Sequence, residues 1–473
     1  MFDVVIIGAG VVGAMIAREL SRYDISVCIL EGENDVCMGA SRANSAIVHA
    51  GFDAKPNTLK ARLNVRGSEM MEDVCKSLGV KYKRNGSLVI AFNGDEEKSL
   101  NELYLRGKEN GVRDLEIITG EAARKLEPAL SKSVTAALHA KTGAIVSPYG
   151  LTIAAIKCAM DNGAQLLLNF KVDKIEKTDL GFEIYAGERS VKSRYLINSA
   201  GVFSDEISAL TGYTGHTVKP RRGEYLLLDK ECGTLLSKTV FRTPSKMGKG
   251  ILVSPTVDGN LLLGPTSVDI DDKTDKSTTK EGFSKIINEA RENLPEIDLR
   301  KVISSFTGLR AVGDTGDFII KRIGSAVHLI GIESPGLTAA PAIGEYVLSL
   351  LSETDLVLKK KGRFIEEKSP VYIFQSADRE TKNEIIKRDK SYGKIVCRCE
   401  GVSEGEILAA IRTNPRPSDL DGVKRRTRAQ MGRCQGGFCQ PYIMELLARE
   451  NGIEMESVTK FGGKSNMIMG KTK

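Results

Sequence analysis

No stretch of the 473 residues stays apolar for the roughly 18 positions that a membrane-spanning helix needs. The opening MFDVVIIGAG has no basic leader or cleavage site and enters a strand at once, so no signal peptide is expected. The expected compartment is the cytoplasm, and any membrane association would come through a partner. Without export a disulfide framework is not expected, and the nine cysteines read as free or metal-bound thiols. There is no internal repeat. Only four histidines occur, His49, His139, His216 and His328, so few imidazoles are available as a base. The net charge of +7 is mild, and its densest segment, KRRTRAQMGR (424–433), carries no aromatic residue and no nucleic-acid motif. That segment reads as a solvated basic face, or as a patch that offsets an anionic thiolate cluster or docks an acidic redox partner.

At roughly 150 residues per domain the length suggests about three domains. FDVVIIGAG, VVGAMIARELSRY and ISVCILE read as strand, helix and strand, and YLINSAGVFSDEI repeats the strand–turn theme at 195–207. Thr278 and Glu281 have capping-box spacing before TKEGFSKIINEARENL. Alternating elements of this kind predict an α/β fold with a parallel sheet and a more antiparallel second sheet in the middle. The expected division is a nucleotide-binding domain over 1–85, 140–215 and 300–355, with a substrate domain over 86–139 and 216–299. A polar linker follows over 356–393, then a cysteine-rich module over 394–460 and a tail over 461–473.

Gly8, Gly10 and Gly13 form G-x-G-x-x-G between the first strand and its helix, and Glu31 ends the second strand about 20 residues on. Gly8 permits the tight turn, Gly10 lets a pyrophosphate approach the backbone, and Gly13 lets helix and strand pack closely. Glu31 is placed for a ribose diol. The pattern predicts one bound dinucleotide, FAD or NAD, and no second fingerprint is present for another.

The tail holds Cys397 and Cys399 in VCRCEGVS and Cys434 and Cys439 in MGRCQGGFC. Thiols one residue apart are too close for a relaxed disulfide and suit a shared metal. Zinc sites usually place two residues between paired ligands, whereas these pairs have one and four, so iron–sulfur is favoured with zinc still open. Cys28, Cys37, Cys75, Cys158 and Cys232 are scattered among apolar neighbours and read as inert core residues.

The segment GASRANSAIVHAGFDAKP (39–56) resembles the flavin loop of FAD-dependent glycerol-3-phosphate dehydrogenases and oxidases of the D-amino-acid-oxidase superfamily. The likeness continues in RRGEYLLL, GKGILVSPTVDGNLLLGPT, SFTGLRA and GIESPGLTAAPAIG, and so spans about residues 1–350. The tail resembles the C-terminal module of the catalytic subunit of anaerobic glycerol-3-phosphate dehydrogenases. That module is of the bacterioferritin-associated-ferredoxin type and carries a 2Fe–2S cluster. The resemblance implies a Rossmann-like FAD domain interleaved with a mixed-sheet substrate domain, followed by a small helical cluster module.

It also implies FAD contacts from Ser41, Asn44, Ser45, Val172, Ala200, Gly201, Gly331, Gly336, Leu337 and Thr338, alongside the glycine turn and Glu31. His49 occupies the place of the family's active-site base, Arg310 that of its substrate-binding arginine, Lys249 that of a phosphate-contacting lysine and Ser334 that of a serine beside the substrate. Arg221 and Arg222 are weaker candidates whose expected fate is surface pairing. The four tail cysteines become ligands of a 2Fe–2S cluster that empties the flavin into a redox partner, an NADH- or quinone-linked flavoprotein. The expected reaction is oxidation of glycerol 3-phosphate. The competing readings are an L-2-hydroxyglutarate or other 2-hydroxy-acid dehydrogenase, and a flavin/iron–sulfur sensor without turnover.

Overall fold

The first apolar run forms β1 (Phe2–Ile7), the glycine turn opens α1 (Val11–Leu20), and the chain returns as β2 (Val27–Leu30). This computed structural model describes residues 1–243 and 250–470. In it β1 lies between β2 and the strand Arg189–Asn198, parallel to both. Strand Gln165–Leu167 extends the sheet beyond β2, and Ala326–Ile330 pairs in parallel with Arg189–Asn198. A sheet covered on both faces needs apolar side chains at successive positions, which is why Val4 to Ile7 are all buried and show no alternation. One face is covered by α1 and the helices Leu59–Leu78, Pro148–Asp161 and Gly336–Ser352, which share one core with the sheet.

Among the described residues the second sheet has nine strands, eight of them in the order Val268–Asp269, Val218–Leu228, Leu261–Gly264, Leu252–Pro255, Thr239–Arg242, Ser87–Ala91, Ala136–Ala140 and Leu115–Thr119. The ninth, Val302–Gly313, runs antiparallel along Val218–Leu228 from end to end. It was expected in the nucleotide-binding domain. Its long ladder puts it in the substrate sheet instead, and only after Gly313 does the chain rejoin the first sheet at Ile319–Ile323. Helix Lys280–Asn293 is capped by Thr279, one residue later than the expected Thr278: its hydroxyl accepts the Gly282 N–H while Glu224 accepts from Thr279 itself.

The segment expected as a linker contains two helices, Pro370–Ser376 and Arg379–Arg388. Val371 and Phe374 bury one face of the first, and Asp378 caps the second by accepting the Thr381 N–H. Upstream, Ile365 exchanges hydrogen bonds with the Asn162 side chain, so the strap lies on the body rather than swinging free. The C-terminal module packs helices Glu404–Arg412, Leu420–Thr427 and Gln440–Asn451 around Ile407, Ile411, Val423, Ile443 and Leu447. The tail folds back through a bridge between Thr459 and Asn466, and Gly462 lies against Asn34. Among the described residues no helix is long and apolar enough to cross a membrane.

The basic segment is neither a solvated face nor a partner patch. Arg426 forks onto both oxygens of buried Asp35 at 2.8 Å each, and Arg425 reaches the same carboxylate at 2.5 Å. Arg428 spreads further. Its Nε donates to Glu400 (2.8 Å), its Nη1 to Asp258 (2.8 Å) and the Tyr149 hydroxyl (3.2 Å), and its Nη2 to Asn260 (2.9 Å). Arg433 pairs with Asp229 and Glu231. Arg425, Arg426 and Arg428 are thus turned inward and clamp the module onto the body, while Arg433 pairs from an exposed position.

Replacing Arg428 with alanine leaves Asp258 with only Lys81 and Glu400 with only Lys230, both in buried positions. The expected loss is about 3 kcal/mol, read from urea unfolding of the module, with little rescue by Arg428→Lys because an ammonium cannot span four acceptors. A pH effect accompanies Asp35. Burial alone would raise its carboxyl, but Arg426 and then Arg425 outweigh burial and hold it at about 2. Its contribution is therefore complete above about pH 4, the unfolded value, and is lost as pH falls toward 2. The stability difference between wild type and Asp35→Asn, followed on apoprotein by urea unfolding, should shrink by about 2 kcal/mol across that window.

Candidate active site and thiol cluster

Close packing explains two of the three glycines in the turn. A Cβ on Gly8, whose φ is +103°, would fall 2.6 Å from the Ser199 carbonyl oxygen, and one on Gly13 would fall 2.0 Å from that of Gly8. Gly10 meets only the Ser41 hydroxyl, at 3.1 Å, and starts α1 without a side-chain cap. Ser41 instead accepts the Val11 N–H at 2.8 Å, which carries the flavin-like loop over the helix start. Glu31 accepts the Ala9 N–H (2.8 Å) and the Glu33 N–H (3.0 Å), while burial pushes its carboxyl upward. Gly201, with φ +60°, follows Ala200 at the end of the neighbouring strand, and Val172 packs beside β2. A helix start with glycine at its N-cap and a serine loop laid over its first N–H, with an acid at the adjacent strand tip, fits a dinucleotide pyrophosphate and ribose. Asn44 turns its amide into its own loop, donating to Ala40 and Ser41 and accepting from Ala46, so it shapes the loop.

Substrate-side residues converge from three segments. In the paired strands, Arg310, Gly308 and Phe306 face Arg221, Gly223 and Tyr225, all on one side of the sheet. A Cβ on Gly308 would fall 1.9 Å from the Ala43 carbonyl oxygen, so this glycine lets the sheet approach the flavin-like loop. Tyr225 stacks on Phe306 at 4.8 Å, and its hydroxyl lies 3.2 Å from that of Ser45. Arg310 donates one Nη2 hydrogen bond to the Thr266 carbonyl (2.7 Å), yet its buried Nε has no partner among the described residues. Burial lowers its pKa, so an anion placed on the guanidinium would relieve the desolvation. Arg221 is tied to Asp269 near the surface, as expected, whereas Arg222 pairs with Asp275 from a largely buried position and its Nε has no partner among the described residues.

His49 follows the short strand Ile47–Val48, its N–H donates to the Thr338 hydroxyl (2.9 Å), and its ring lies 5.9 Å from that of Phe241. Thr338 in turn donates to the Ile47 carbonyl, so its hydroxyl is used to hold the histidine loop and not directed at a flavin. Gly331, at φ +68°, packs against Gly313; Gly336 and Leu337 start the helix that carries Thr338, and Ser334 is exposed just before it. Lys249 lies outside the described residues. Tyr225 and Phe241 were missed as site-lining residues. Tyr225 could have been found from its alternation with Gly223 and Arg221, whereas Phe241 has no comparable signal.

The four tail thiols form two pairs. Cys399 and Cys434 lie 3.5 Å apart toward the surface, and buried Cys439 hydrogen-bonds buried Cys397, which lowers the Cys397 thiol and raises its partner. Among the described residues no three His, Cys, Asp or Glu side chains come close enough to hold one metal ion. Two pairs suit a two-iron cluster better than a single tetrahedral zinc. The backbone N–H groups of Glu400 and Gln430 point at Cys397, and those of Gly436, Gly437 and Phe438 at Cys434, a donor set suited to anionic sulfur. Of the remaining cysteines, Cys28, Cys37, Cys75 and Cys158 are buried core residues as expected, and burial pushes Cys28 and Cys75 up to about 12; Cys232 is only half-buried and is not a core residue. A cavity of about 320 Å3 between body and module has Lys81, Lys230, Asp258, Glu400 and Arg428 in its wall, where they pair with one another, and belongs to the interface.

Residues 3–350 match the family of FAD dependent oxidoreductases. The chain belongs to that family. Residues 395–449 match the BFD-like [2Fe-2S] binding domain. It is thus an FAD flavoprotein oxidoreductase with a 2Fe–2S module, and its fold is of the D-amino-acid-oxidase type. Over 476 aligned positions it is 46% identical to a glycerol 3-phosphate dehydrogenase of Caloramator mitchellensis, covering 100% of this chain and 99% of the relative. The structure of dithionite-reduced L-alpha-glycerophosphate oxidase from Mycoplasma pneumoniae with FAD bound superposes with a TM-score of 0.74 at 30% identity, covering 78% of this chain and 99% of that one. A mitochondrial L-2-hydroxyglutarate dehydrogenase of Bos taurus is 33% identical but is matched over 56% of this chain and 61% of its own length.

Gly308→Ala tests the approach of sheet and loop. It should lower the thermal midpoint by the equivalent of about 1–3 kcal/mol and loosen retention of FAD on gel filtration.

Proposed function

We propose that this flavoprotein oxidises the secondary hydroxyl of sn-glycerol 3-phosphate to give dihydroxyacetone phosphate, its electrons leaving through the C-terminal cluster to a separate redox protein. The observation that carries this reading is the end-to-end similarity, module included, to a protein named as a glycerol 3-phosphate dehydrogenase. The buried Arg310 guanidinium with its unpartnered Nε supports an anionic substrate group at that point.

FAD, when bound, supplies a two-electron acceptor for the hydride of the carbinol carbon, and the cluster a one-electron outlet. The chain's own residues do the rest. Gly8, Gly10, Gly13 and Ser41 hold the pyrophosphate and Glu31 the ribose. His49 takes the hydroxyl proton on its imidazole, a base suited to neutral pH. Arg310 grips the phosphate through its fork, with Lys249 as a second cation and Ser334 at the rim. Thr338 holds the His49 backbone in place, and the Tyr225–Phe306 stack walls off water on the sheet side. Cys397 with Cys439, and Cys399 with Cys434, ligate the cluster.

Anaerobic addition of glycerol 3-phosphate to holoprotein should bleach the flavin band, while L-2-hydroxyglutarate leaves it. His49→Asn should slow that bleaching by roughly 10²–10⁴-fold with FAD content unchanged. Cys399→Ser with Cys434→Ser should keep the bleaching but stop reduction of a one-electron protein acceptor. Steady turnover on oxygen alone in that variant would overturn the proposed electron route, and bleaching by L-2-hydroxyglutarate instead would overturn the substrate.

A further inference from the structure

Helix Leu420–Thr427 of the iron–sulfur module lies against the segment that joins the tip of β2 to the Ser41 turn. Arg425 and Arg426 meet on Asp35, Asn34 donates to Asp419 at 2.6 Å, and a Cβ on Gly422 would fall 3.1 Å from the Asp35 carboxylate. Two residues beyond Asp35, the Cys37 N–H donates to the Ala9 carbonyl inside the glycine turn. One residue beyond Ser41, which caps the first N–H of α1, stands Arg42. The module's helix therefore sits one layer away from the place where the pyrophosphate of FAD would rest.

Most charges in this corner are spoken for: Asp35 serves two arginines, Asp421 pairs with Lys460, and Asp419 caps its own helix. Arg42 and Lys424 are left over. Neither side chain makes a hydrogen bond or a close ion pair among the described residues, although the field of Asp421 reaches both and that of Glu33 reaches Arg42. Burial lowers the pKa of each and the Arg425 charge adds to it, Asp421 opposes at both, and the Arg42 charge also bears on Lys424. Two half-buried like charges without a touching counter-ion are costly unless an anion binds beside them.

We infer that Lys424, a residue of the iron–sulfur module, joins Arg42 in holding the diphosphate of FAD bound on the oxidoreductase body. The cluster module thus completes the flavin site, and cofactor binding and module docking support one another. The inference rests on the placement of FAD at the glycine turn.

The test is the affinity of FAD for flavin-stripped protein that keeps its cluster, followed by quenching of flavin fluorescence. Lys424→Met should weaken FAD about tenfold, the scale of one charge-assisted contact, and flatten the dependence of affinity on salt. Lys424→Arg should stay within about threefold of wild type. The cluster's visible and paramagnetic spectra should be unchanged in both, which reports a docked, intact module. If Lys424→Met perturbs those spectra, the polar Lys424→Gln decides by the same criteria. Gly10→Val separates the two readings: retention of FAD by that variant would refute the placement at the turn. Loss in Gly10→Val with affinity within twofold of wild type in Lys424→Met and Lys424→Gln would overturn the role of Lys424 alone.

Discussion

The guanidinium of Arg428 is where three parts of the chain meet. It joins Glu400, beside the cluster thiols, to the Asp258–Asn260 turn of the substrate sheet and to Tyr149 on a helix of the nucleotide domain. Four acceptors use its planar fork in a geometry no other side chain can reproduce. A tethered module that wandered would place the thiols at a different distance from the flavin site each time. Held at Arg428 and at Asp35, and strapped by the helices of residues 370–388, it presents one distance only. The proposed transfer of electrons from flavin to cluster depends on that constancy more than on any individual contact.

The substrate site depends on a comparable economy of space. The two long strands of the substrate sheet align Arg310 with Gly308 on the face that meets the histidine loop, and Gly308 allows a contact that any side chain would block. Arg310 can then lie under the loop instead of beside it, desolvated and short of one hydrogen-bond partner. His49 is fixed from the opposite direction through Thr338. The proposed base and anion grip thus come from elements far apart in sequence, and the Gly308–Ala43 approach and the Tyr225–Ser45 contact join the sheet of one to the loop of the other.

Much of this was legible in the sequence where the signal is local. The glycine turn, Glu31 and the apolar strands could be read because one strand–turn–helix unit fixes their roles within about thirty residues. The CxC and Cx4C spacings likewise showed paired thiols. The resemblance supplied the roles of His49 and Arg310, which no spacing could give. What escaped were long-range pairings. The segment 424–433 looks like a free basic patch until Asp35 and Asp258 are seen opposite it, and the strand Val302–Gly313 gives no sign of which sheet it will join. Thr338 looked available to a flavin because its hydroxyl partner lies almost three hundred residues away. The polar stretch 356–393 hid two helices because Val371 and Phe374 find their buried face only on the module and body together.

The direction of the clamp has a consequence for how such a chain could be assembled from parts. The module carries the guanidinium plugs, while the sockets, Asp35 and Asp258, are single carboxylates set in a loop and a turn of the body, places where sequence change is otherwise tolerated. An oxidoreductase without an electron outlet would need little more than two acidic substitutions at such edges to seat a borrowed module. Losing either one would loosen the seat of the module at one of its anchor points while the chain still carried it.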